Sequence, residues 1–316
     1  MSKLTIAIDT MGGDLGPSAA VEGAALAAKE FPDVNLLLVG PEDVLRAEMS
    51  KHGVAFEILH APDVIELRDV PTVAIKQKKE SSMVMGLKSL REGRANGFVS
   101  AGSTGALLAG VFVYAKRQPG IRRPALCALL PTKKGFVLLL DCGANAEVKP
   151  SYLLQFGQMG ADYMKKCMGI QNPRVGLVNI GAEKEKGTPI YKEAHTLLEE
   201  SALNFVGNIE GRGIPSGEVD VAVCDGFVGN VVLKLTEGLS KTLMSMIKDE
   251  LMASPISKLG ALLAKGSFAN LKKRFDYREV GGAPFLGLTS LVVKAHGSSD
   301  ALAIKNAIRQ CIIFER

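Results

Sequence analysis

Short apolar runs alternate along the chain with stretches of helical periodicity. The runs are rich in leucine and β-branched residues and carry polar residues only at their ends, which is typical of strands buried on both faces of a parallel sheet. The predicted strands are LTIAID (4–9), VNLLLV (34–39), GFVSAG (97–102), FVLLLD (136–141), VGLVNI (175–180) and VDVAVCD (219–225). The predicted helices cover 18–31, 41–52, 81–92, 107–116, 151–168, 189–200 and 229–251. This alternation predicts right-handed βαβ units and a doubly wound α/β fold.

Glycine-rich loops with polar side chains follow five of these strands. They read DTMGGDLG (9–16), SAGSTGALLAG (100–110), DCGANAEVKP (141–150), NIGAEKEKGTP (179–189) and CDGFVGN (224–230). Ligands of doubly wound folds bind at the carboxyl ends of the strands. We expect all five loops at the same edge of one sheet, and they therefore predict a ligand pocket there.

The first two loops suggest how an anion is held. Gly12 and Gly13 are predicted to form a tight turn that lets backbone approach a ligand, with Asp9 and Asp14 accepting bonds that pin it. The second loop leads into a helix, whose free N–H groups are a ready anion site. Its candidate phosphate-binding residues are Ser103, Thr104 and Gly105. The alternative is that Ser103 or Thr104 simply caps the helix.

The other three loops supply further polar groups. Lys184 and Lys186 lie in a glycine-bounded loop, from which a lysine can reach a phosphate or a polarised carbonyl oxygen; the alternative is a solvated charged loop. The remaining candidates either bind polar groups of a substrate or cap the next helix. They are Asp141, Gly143 and Asn145 in DCGAN, and Asp225, Gly226 and Asn230 in CDGFVGN.

Composition narrows the class of protein. The chain has 316 residues, of which 47% are hydrophobic and 22% charged, and we expect one α/β domain over 1–316. The net charge of +5 fits an anionic substrate, an acidic partner or an acidic membrane surface. Aromatic residues are only 5% and Trp is absent, which argues against nucleic-acid binding by base stacking. The N-terminus does not have the pattern of a signal peptide, and the apolar runs are shorter than a membrane span, so we predict a cytoplasmic location.

Sequence motifs of other enzyme classes are missing. The sequence contains no GxGxxG, no Walker lysine motif, no GxSxG and no HExxH, and its five cysteines form no CxxC pair. The sequence therefore predicts no metal site and a pocket built for anions rather than around an imidazole base.

The segment 249–284 stands apart from this pattern. Apolar residues recur in it at helical spacing among basic residues, and Gly266–Ser267 is predicted to divide it into two short helices, with Ser267 as the second N-cap. The segment either packs on its own core or a dimer interface, or contacts anionic lipid or an acidic protein; the basic density favours the second. The candidate contact residues are Lys258, Leu259, Leu262, Leu263, Lys265, Phe268, Lys272, Lys273 and Arg274.

These motifs, in order and over essentially the whole chain, resemble one bacterial family. IAIDTMGGDLGP, VSAGSTGALLAG, DCGAN, LVNIGAEKEKGT, CDGFVGNVVLK, GGAPFLGL and KAHGSSD are similar to the fatty acyl-ACP:phosphate acyltransferases of phospholipid synthesis, where ACP is acyl carrier protein. Thr10 stands where the family commonly has Ala. The resemblance implies an α/β/α sandwich with a mostly parallel sheet, like isopropylmalate dehydrogenase and phosphotransacetylase, with a protruding amphipathic helical hairpin at about 250–280.

The resemblance also implies an activity and partners. The family transfers an acyl group from acyl-ACP to inorganic phosphate, without a cofactor, as homodimers bound peripherally to the anionic inner face of the cell membrane. ACP is strongly acidic, and a downstream glycerol-3-phosphate acyltransferase is a further expected partner. Lys184, Lys186 and Asn230 are then the expected catalytic residues. The alternatives are an NAD-dependent decarboxylating dehydrogenase of similar fold and a non-catalytic lipid-binding scaffold.

Overall fold

The computed structural model of the protein describes residues 3–316, except for the side chains of Lys272 and Tyr277. An 11-stranded sheet runs through it in the order β3-β2-β1-β4-β11-β10-β5-β6-β9-β7-β8. The strands are β1 Thr5–Asp9, β2 Asn35–Gly40, β3 Glu57–His60, β4 Gly97–Ser100, β5 Ala125–Thr132, β6 Gly135–Leu140, β7 Arg174–Asn179, β8 Asn204–Glu210, β9 Val221–Val223, β10 Ala283–Leu286 and β11 Leu291–Lys294.

Helices follow most of the strands. They are α1 Gly16–Glu30, α2 Glu42–His52, α3 Pro71–Gln77, α4 Ser82–Arg91, α5 Thr104–Tyr114, α6 Pro150–Met168, α7 Pro189–Glu199, α8 Gly213–Ser216, α9 Gly226–Met252, α10 Pro255–Leu263, α11 Lys265–Arg274, α12 Tyr277–Val280 and α13 Ala301–Glu315. No helix in the described part of the chain has the length and apolar character needed to cross a bilayer.

Successive strand residues point to opposite faces of the sheet and build separate clusters. On one face, a single cluster packs the sheet against α1, α2, α6, α7 and α13. The other face carries two clusters, one under α3, α4 and α5 and one under α8 and α9. Their boundary falls on β5, where Leu126 belongs to the first cluster and Ala128 to the second. We call this boundary, over β10 and β5, the seam.

The direction of the strands reverses in the middle of the sheet. Neighbouring strands are parallel from β3 to β11 and again from β6 to β8. Between these halves, β10 pairs antiparallel with both β11 and β5, and β5 pairs antiparallel with β6. Three successive reversals leave the two halves running in opposite directions. The prediction that all five glycine-rich loops share one edge is therefore wrong: the loops after β1 and β4 lie at one edge, and those after β6, β7 and β9 at the other.

The α/β/α class, the mostly parallel sheet and all six predicted strands are confirmed, with boundaries that differ by up to two residues. The seven predicted helices are confirmed too, with ends that shift by up to three residues. The predicted division of the segment 249–284 into two short helices is confirmed, but its predicted position at Gly266–Ser267 is wrong, because α10 ends at Leu263 and α11 begins at Lys265. Ser267 therefore lies inside a helix, and Ser254 is the N-cap of α10, where its side chain accepts a bond from the N–H of Ser257.

Candidate active site

The last residues of three neighbouring strands form a polar row. Asp9 of β1 is in register with Ser100 of β4, and Ser100 is in register with Lys294 of β11. Each follows by two positions a residue of the α3–α5 cluster, so all three side chains lie on the face that carries the seam. The Ser100 hydroxyl donates to Asp9 Oδ2 at 2.6 Å. The row thus places a carboxylate, a hydroxyl and an ammonium side by side at the strand ends.

Lys294 is an unusual member of this row because only 9% of its surface is exposed. Its Nζ donates to the carbonyl oxygen of Ala101 at 3.4 Å and to that of Ala295. Burial lowers the pKa of Lys294 to about 8; the negative charges of Asp9 and Asp14 oppose this shift, and the positive charge of Lys234 on α9 adds to it. Burial also raises the pKa of Asp9, against the hydrogen bonds it accepts from Ser100 and Ser82.

The Gly12–Gly13 turn packs directly on the loop after β4. A Cβ on Gly12 would lie 2.5 Å from the backbone nitrogen of Gly102, and Gly13 adopts a φ of +88°. Asp9 accepts a bond from the N–H of Met11 at 3.3 Å, and the Asp14 N–H donates to the Gly297 carbonyl at 2.7 Å. The Asp14 side chain is exposed. The glycines therefore allow three loops, including KAHGSSD, to meet at this edge.

Helix α5 begins at the same edge. Ser103 is its N-cap and accepts a bond from the N–H of Ala106 at 3.4 Å. Thr104 is exposed in the first turn. Gly105 leaves room for Pro71, because a Cβ on Gly105 would lie 2.9 Å from the Pro71 side chain. Capping by Ser103 uses one N–H of the first turn, and the dipole of the helix still favours an anion in front of it.

At the opposite edge, the loop after β6 is tied together by the Asp141 side chain. This carboxylate accepts bonds from the N–H groups of Leu126, Ala144 and Asn145 at 3.0, 3.1 and 2.5 Å. Its pKa is raised by burial, which these bonds oppose. The Asn145 amide donates to Asp141 and to the Pro124 carbonyl, both at 2.8 Å. The contacts of Asp141 and Asn145 are thus internal to the loop and its neighbours.

The start of α9 completes this second group. Asp225 is the N-cap, accepting a bond from the N–H of Val228 at 2.8 Å and one from the Tyr191 hydroxyl at 2.6 Å. Gly226 packs on Asn145, whose carbonyl oxygen a Cβ would approach to 2.8 Å. One turn later, Asn230 is exposed beside Gly143, which has a φ of +127°.

The loop with the two lysines is folded on itself. Lys184 forms an exposed ion pair with Glu199 of α7, and this hydrogen bond raises the pKa of Lys184. The Lys186 carbonyl accepts a bond from the Asn179 side chain at 3.1 Å, while the Lys186 side chain is exposed. Because α7 holds Asp225 through Tyr191, this loop flanks the start of α9. Both ammonium groups therefore lie at the outer rim of the second group.

The chain is similar to known proteins over nearly its whole length. A family model described as "Fatty acid synthesis protein" matches residues 4–315. The chain belongs to this family. A phosphate acyltransferase of Clostridium botulinum (strain Loch Maree / Type A3) is 49% identical over 313 residues, which cover 98% of this chain and 93% of that protein.

Solved structures share the fold of this fatty acid synthesis protein. A phosphotransacetylase from Streptococcus pyogenes superposes with a TM-score of 0.66 at 18% identity, covering 99% of this chain and 95% of the other. A 4-hydroxythreonine-4-phosphate dehydrogenase from Burkholderia phymatum gives 0.53 at 15% identity, covering 99% of each chain. Identities this low establish the shared fold alone.

In this family member the predicted site residues form two groups at opposite edges of the sheet, whereas the sequence predicted one group at a single edge. The structure brings together Asp9, Gly12, Gly13, Asp14, Ser103, Thr104 and Gly105 at one edge. At the other edge it gathers Asp141, Gly143, Asn145, Asp225, Gly226 and Asn230, flanked by Lys184 and Lys186. Within the described residues, no group of three or more His, Cys, Asp or Glu side chains is arranged to hold a metal ion.

Ser100 and Lys294 were missed as candidates. Lys294 follows the apolar run LVV and precedes the AHGSSD loop, so a short strand with a polar last residue was the available signal. Four residues are too few to distinguish a central strand from a loop by periodicity.

The basic hairpin of this family member, α10 and α11, exposes a leucine cluster. Leu259, Leu262 and Leu263 are 60%, 66% and 83% exposed. Lys258, Lys265 and Lys273 are exposed, Phe268 is half-buried, and Arg274 donates to the Thr132 carbonyl at 3.1 Å. The predicted contact residue Lys272 has a side chain outside the described part. A solvent-facing cluster of three leucines is rare in a protein that contacts only water.

Proposed function

We propose that the protein transfers a fatty acyl group from the thiol of acyl carrier protein to inorganic phosphate, which yields an acyl phosphate and the free thiol. The observation that carries this proposal is the 49% identity, over nearly the full length of both chains, to a curated phosphate acyltransferase. The common fold with phosphotransacetylases is consistent with it.

Acyl transfer from a thioester to phosphate requires that the two substrates are correctly positioned, and it does not require a strong base. A phosphate oxygen forms a bond to the thioester carbonyl carbon, and the carbon–sulfur bond breaks as the thiolate leaves. A thiol has a pKa of about 8.5, so its thiolate departs with little acid assistance. The protein must bring two anionic substrates together and stabilise the charge that develops on the carbonyl oxygen.

Phosphate binds at the edge where β1, β4 and β11 end. The start of α5, with Ser103, Thr104 and Gly105, offers backbone N–H groups and hydroxyls. Lys294 supplies positive charge beside it, at a point shielded from water. Asp9 holds Ser100 and the Gly12–Gly13 turn, and its carboxylate does not face the phosphate because the two anions would repel.

The thioester arm lies along the seam and enters from the opposite edge. Asn230 lies on α9 next to Gly143, and Lys234, one turn further, influences Lys294 across the seam. The four-residue strand β10 spans roughly 10 Å between the two edges, a distance that an extended arm bridges. Asn230 donates to the thioester carbonyl, and Lys184 and Lys186 attract the arriving anions from the rim.

Two surfaces serve assembly and location. The leucines of the basic hairpin insert into an anionic membrane on the cytoplasmic side, where its lysines meet the headgroups. A stripe on α9 packs against a second copy of the chain to form a homodimer, from which acyl phosphate passes to a glycerol-3-phosphate acyltransferase. The exposed stripe comprises Phe227, Val231, Leu235, Leu239, Leu243 and Met246. Sedimentation of Leu235→Glu tests the dimer, because a buried charge there would dissociate it.

The activity is tested by following thiol release from acyl-ACP with and without phosphate. We expect release only with phosphate, together with an acyl product that hydroxylamine traps. Thiol release that ignores phosphate, or no release at all, would reject the proposal. The scaffold alternative predicts no turnover. The dehydrogenase alternative predicts NAD-dependent absorbance at 340 nm, but the aspartates it would use lie at opposite edges, Asp9 at one and Asp141 and Asp225 at the other.

A further inference from the structure

A large basic cavity opens where α5 ends, and neither the predicted site nor the hairpin includes it. Its volume is about 810 Å³. We name it the basic cavity; it is lined by Arg91, Phe112, Val113, Tyr114, residues 115–122 and Thr289. Arg91, Lys116, Arg117 and Arg122 contribute its charge, and Arg123 lies beside it with its guanidinium 5.4 Å from the centre of the Phe112 ring.

The basic cavity lies in a part of the sequence that is poor in carboxylates. No Asp or Glu occurs between Gly93 and Leu140 in the sequence. Across the described residues, none of the ion pairs involves Arg91, Lys116, Arg117, Arg122 or Arg123. By contrast, Lys184, Lys234 and Arg278 each pair with a carboxylate. A cluster of unpaired cations raises the local potential and attracts an acidic partner.

The loop that carries these cations is held in place by its backbone. The N–H of Gln118 donates to the Gly287 carbonyl at 3.0 Å, and that of Thr289 to the Lys116 carbonyl at 2.9 Å. Arg117 Nη1 reaches the Arg122 carbonyl at 2.7 Å, and the N–H of Arg122 donates to the Gln155 side chain at 3.0 Å. Such a preformed surface loses little conformational entropy when a partner binds.

The basic cavity adjoins the second group of site loops. Its loop runs directly into Pro124, whose carbonyl accepts the bond from the Asn145 amide at 2.8 Å. Asn145 belongs to the loop that contains Gly143, beside which Asn230 lies. The cavity and the proposed entrance of the thioester arm are therefore at the same edge of the sheet.

We infer that the basic cavity is the docking site for the acidic carrier protein that delivers the thioester. This inference rests on the proposed function, because it takes its partner from that reaction. Charge complementarity selects the partner, and the position lets a carrier seated there direct its arm along the seam. A membrane fits less well, because the cluster of exposed leucines lies on the basic hairpin instead.

The test compares two double charge reversals. Lys116→Glu/Arg122→Glu changes exposed side chains of the basic cavity, and the matched control Lys258→Glu/Lys265→Glu changes the basic hairpin. Binding of holo-ACP is measured directly, and the KM is measured for acyl-ACP and for acyl-pantetheine, which lacks the protein. We expect the cavity variant to weaken holo-ACP binding and raise the KM for acyl-ACP at least about tenfold, with kcat and the KM for acyl-pantetheine unchanged.

Three results would overturn the inference. These are normal holo-ACP binding by the cavity variant, the same loss in the hairpin control, and loss of binding to anionic phosphatidylglycerol vesicles with carrier affinity intact. Thermal unfolding of both variants identifies a folding defect, and the single Arg122→Glu variant then replaces the double one. Wild-type enzyme that binds holo-ACP but releases no thiol would reject the proposed function, while the binding measurement would still decide the docking site.

Discussion

The hydroxyl of Ser100 donates a 2.6 Å hydrogen bond to the carboxylate of Asp9, although 91 residues separate the two in the chain. The bond joins the ends of β1 and β4, the point from which the chain continues on one side to the Gly12–Gly13 turn and on the other to α5. Lys294 is next to Ser100 in the same row. Three distant segments thus meet in a single buried polar row, and the proposed phosphate site depends on their alignment.

Phosphate affinity should fall as the pH rises through about 8. The pKa of Lys294 is lowered to about 8, so its ammonium is charged below that pH and neutral above it. Asp9, Asp14 and Lys234 are the charged groups that act on it. The measurement is the KM for phosphate across this range.

Two variants separate the charge of Lys294 from its packing. Lys294→Arg stays protonated, so the rise of KM near pH 8 should disappear. Lys294→Met removes the charge at every pH and should raise the KM roughly 10–100-fold, the scale of a lost hydrogen bond to a charged group. The same alkaline rise in the Arg variant would show that another group titrates.

Lys184→Ala should lower kcat/KM for acyl-ACP at least about tenfold, because it removes a positive charge that attracts the anionic substrates. Its fold should be unaffected because the ion pair with Glu199 is exposed and such pairs contribute little to stability. Glu199→Gln is the matched control, since it breaks the same pair but keeps the ammonium, and it should retain the normal kcat/KM. A near-normal kcat/KM in Lys184→Ala would remove this residue from the site.

Gly229→Ala should destabilise the protein by at least about 2 kcal/mol, because overpacking against backbone is not relieved by a rotamer change. A Cβ there would lie 1.8 Å from the Asp141 carbonyl oxygen. Gly238→Ala on the same helix meets nothing within 4 Å and should stabilise it by roughly 0.5–1 kcal/mol. Urea unfolding measures the free energy of unfolding of both variants. Equal changes in the two variants would contradict the close approach of α9 to the loop after β6.

Leu262→Glu should weaken binding to anionic vesicles at least about tenfold, because it replaces an inserted apolar side chain with a charge that the headgroups repel. Flotation of the protein with vesicles measures this. Leu67→Glu changes another exposed leucine, outside the basic hairpin, and should leave binding intact. Unchanged flotation of Leu262→Glu would reject the membrane role.

Much of the fold could be predicted because its strands are long apolar runs. Leu36 to Val39 and Val137 to Leu140 are nearly fully buried, as uninterrupted apolar sequence predicts. The apolar residues after SAGSTG predict the helix there. Ser103 is its N-cap, as expected because serine is favoured at that position.

The sheet reversal could not be predicted in the same way. It depends on β5 and β10, each of which contains a proline that lowers its strand signal, and β10 is only four residues long. The direction of each strand is set by pairing between segments that are far apart in sequence, such as the pairing of Phe285 with Leu126. The burial of Lys294 could not be predicted for the same reason, since it depends on the pairing of β11 with β4, which no local sequence pattern indicates.

The place of β11 and α13 in the sheet has a consequence for synthesis. Both lie within residues 291–316, yet β11 pairs with β4, which is made about 190 residues earlier, and α13 packs on α1, which is made about 285 residues earlier. While the ribosome is still translating, one side of β4 is an open hydrophobic edge, of the kind that invites aggregation. A nascent chain must therefore be protected from aggregation until residues 291–316 leave the exit tunnel, and messages truncated before codon 291 should yield insoluble products.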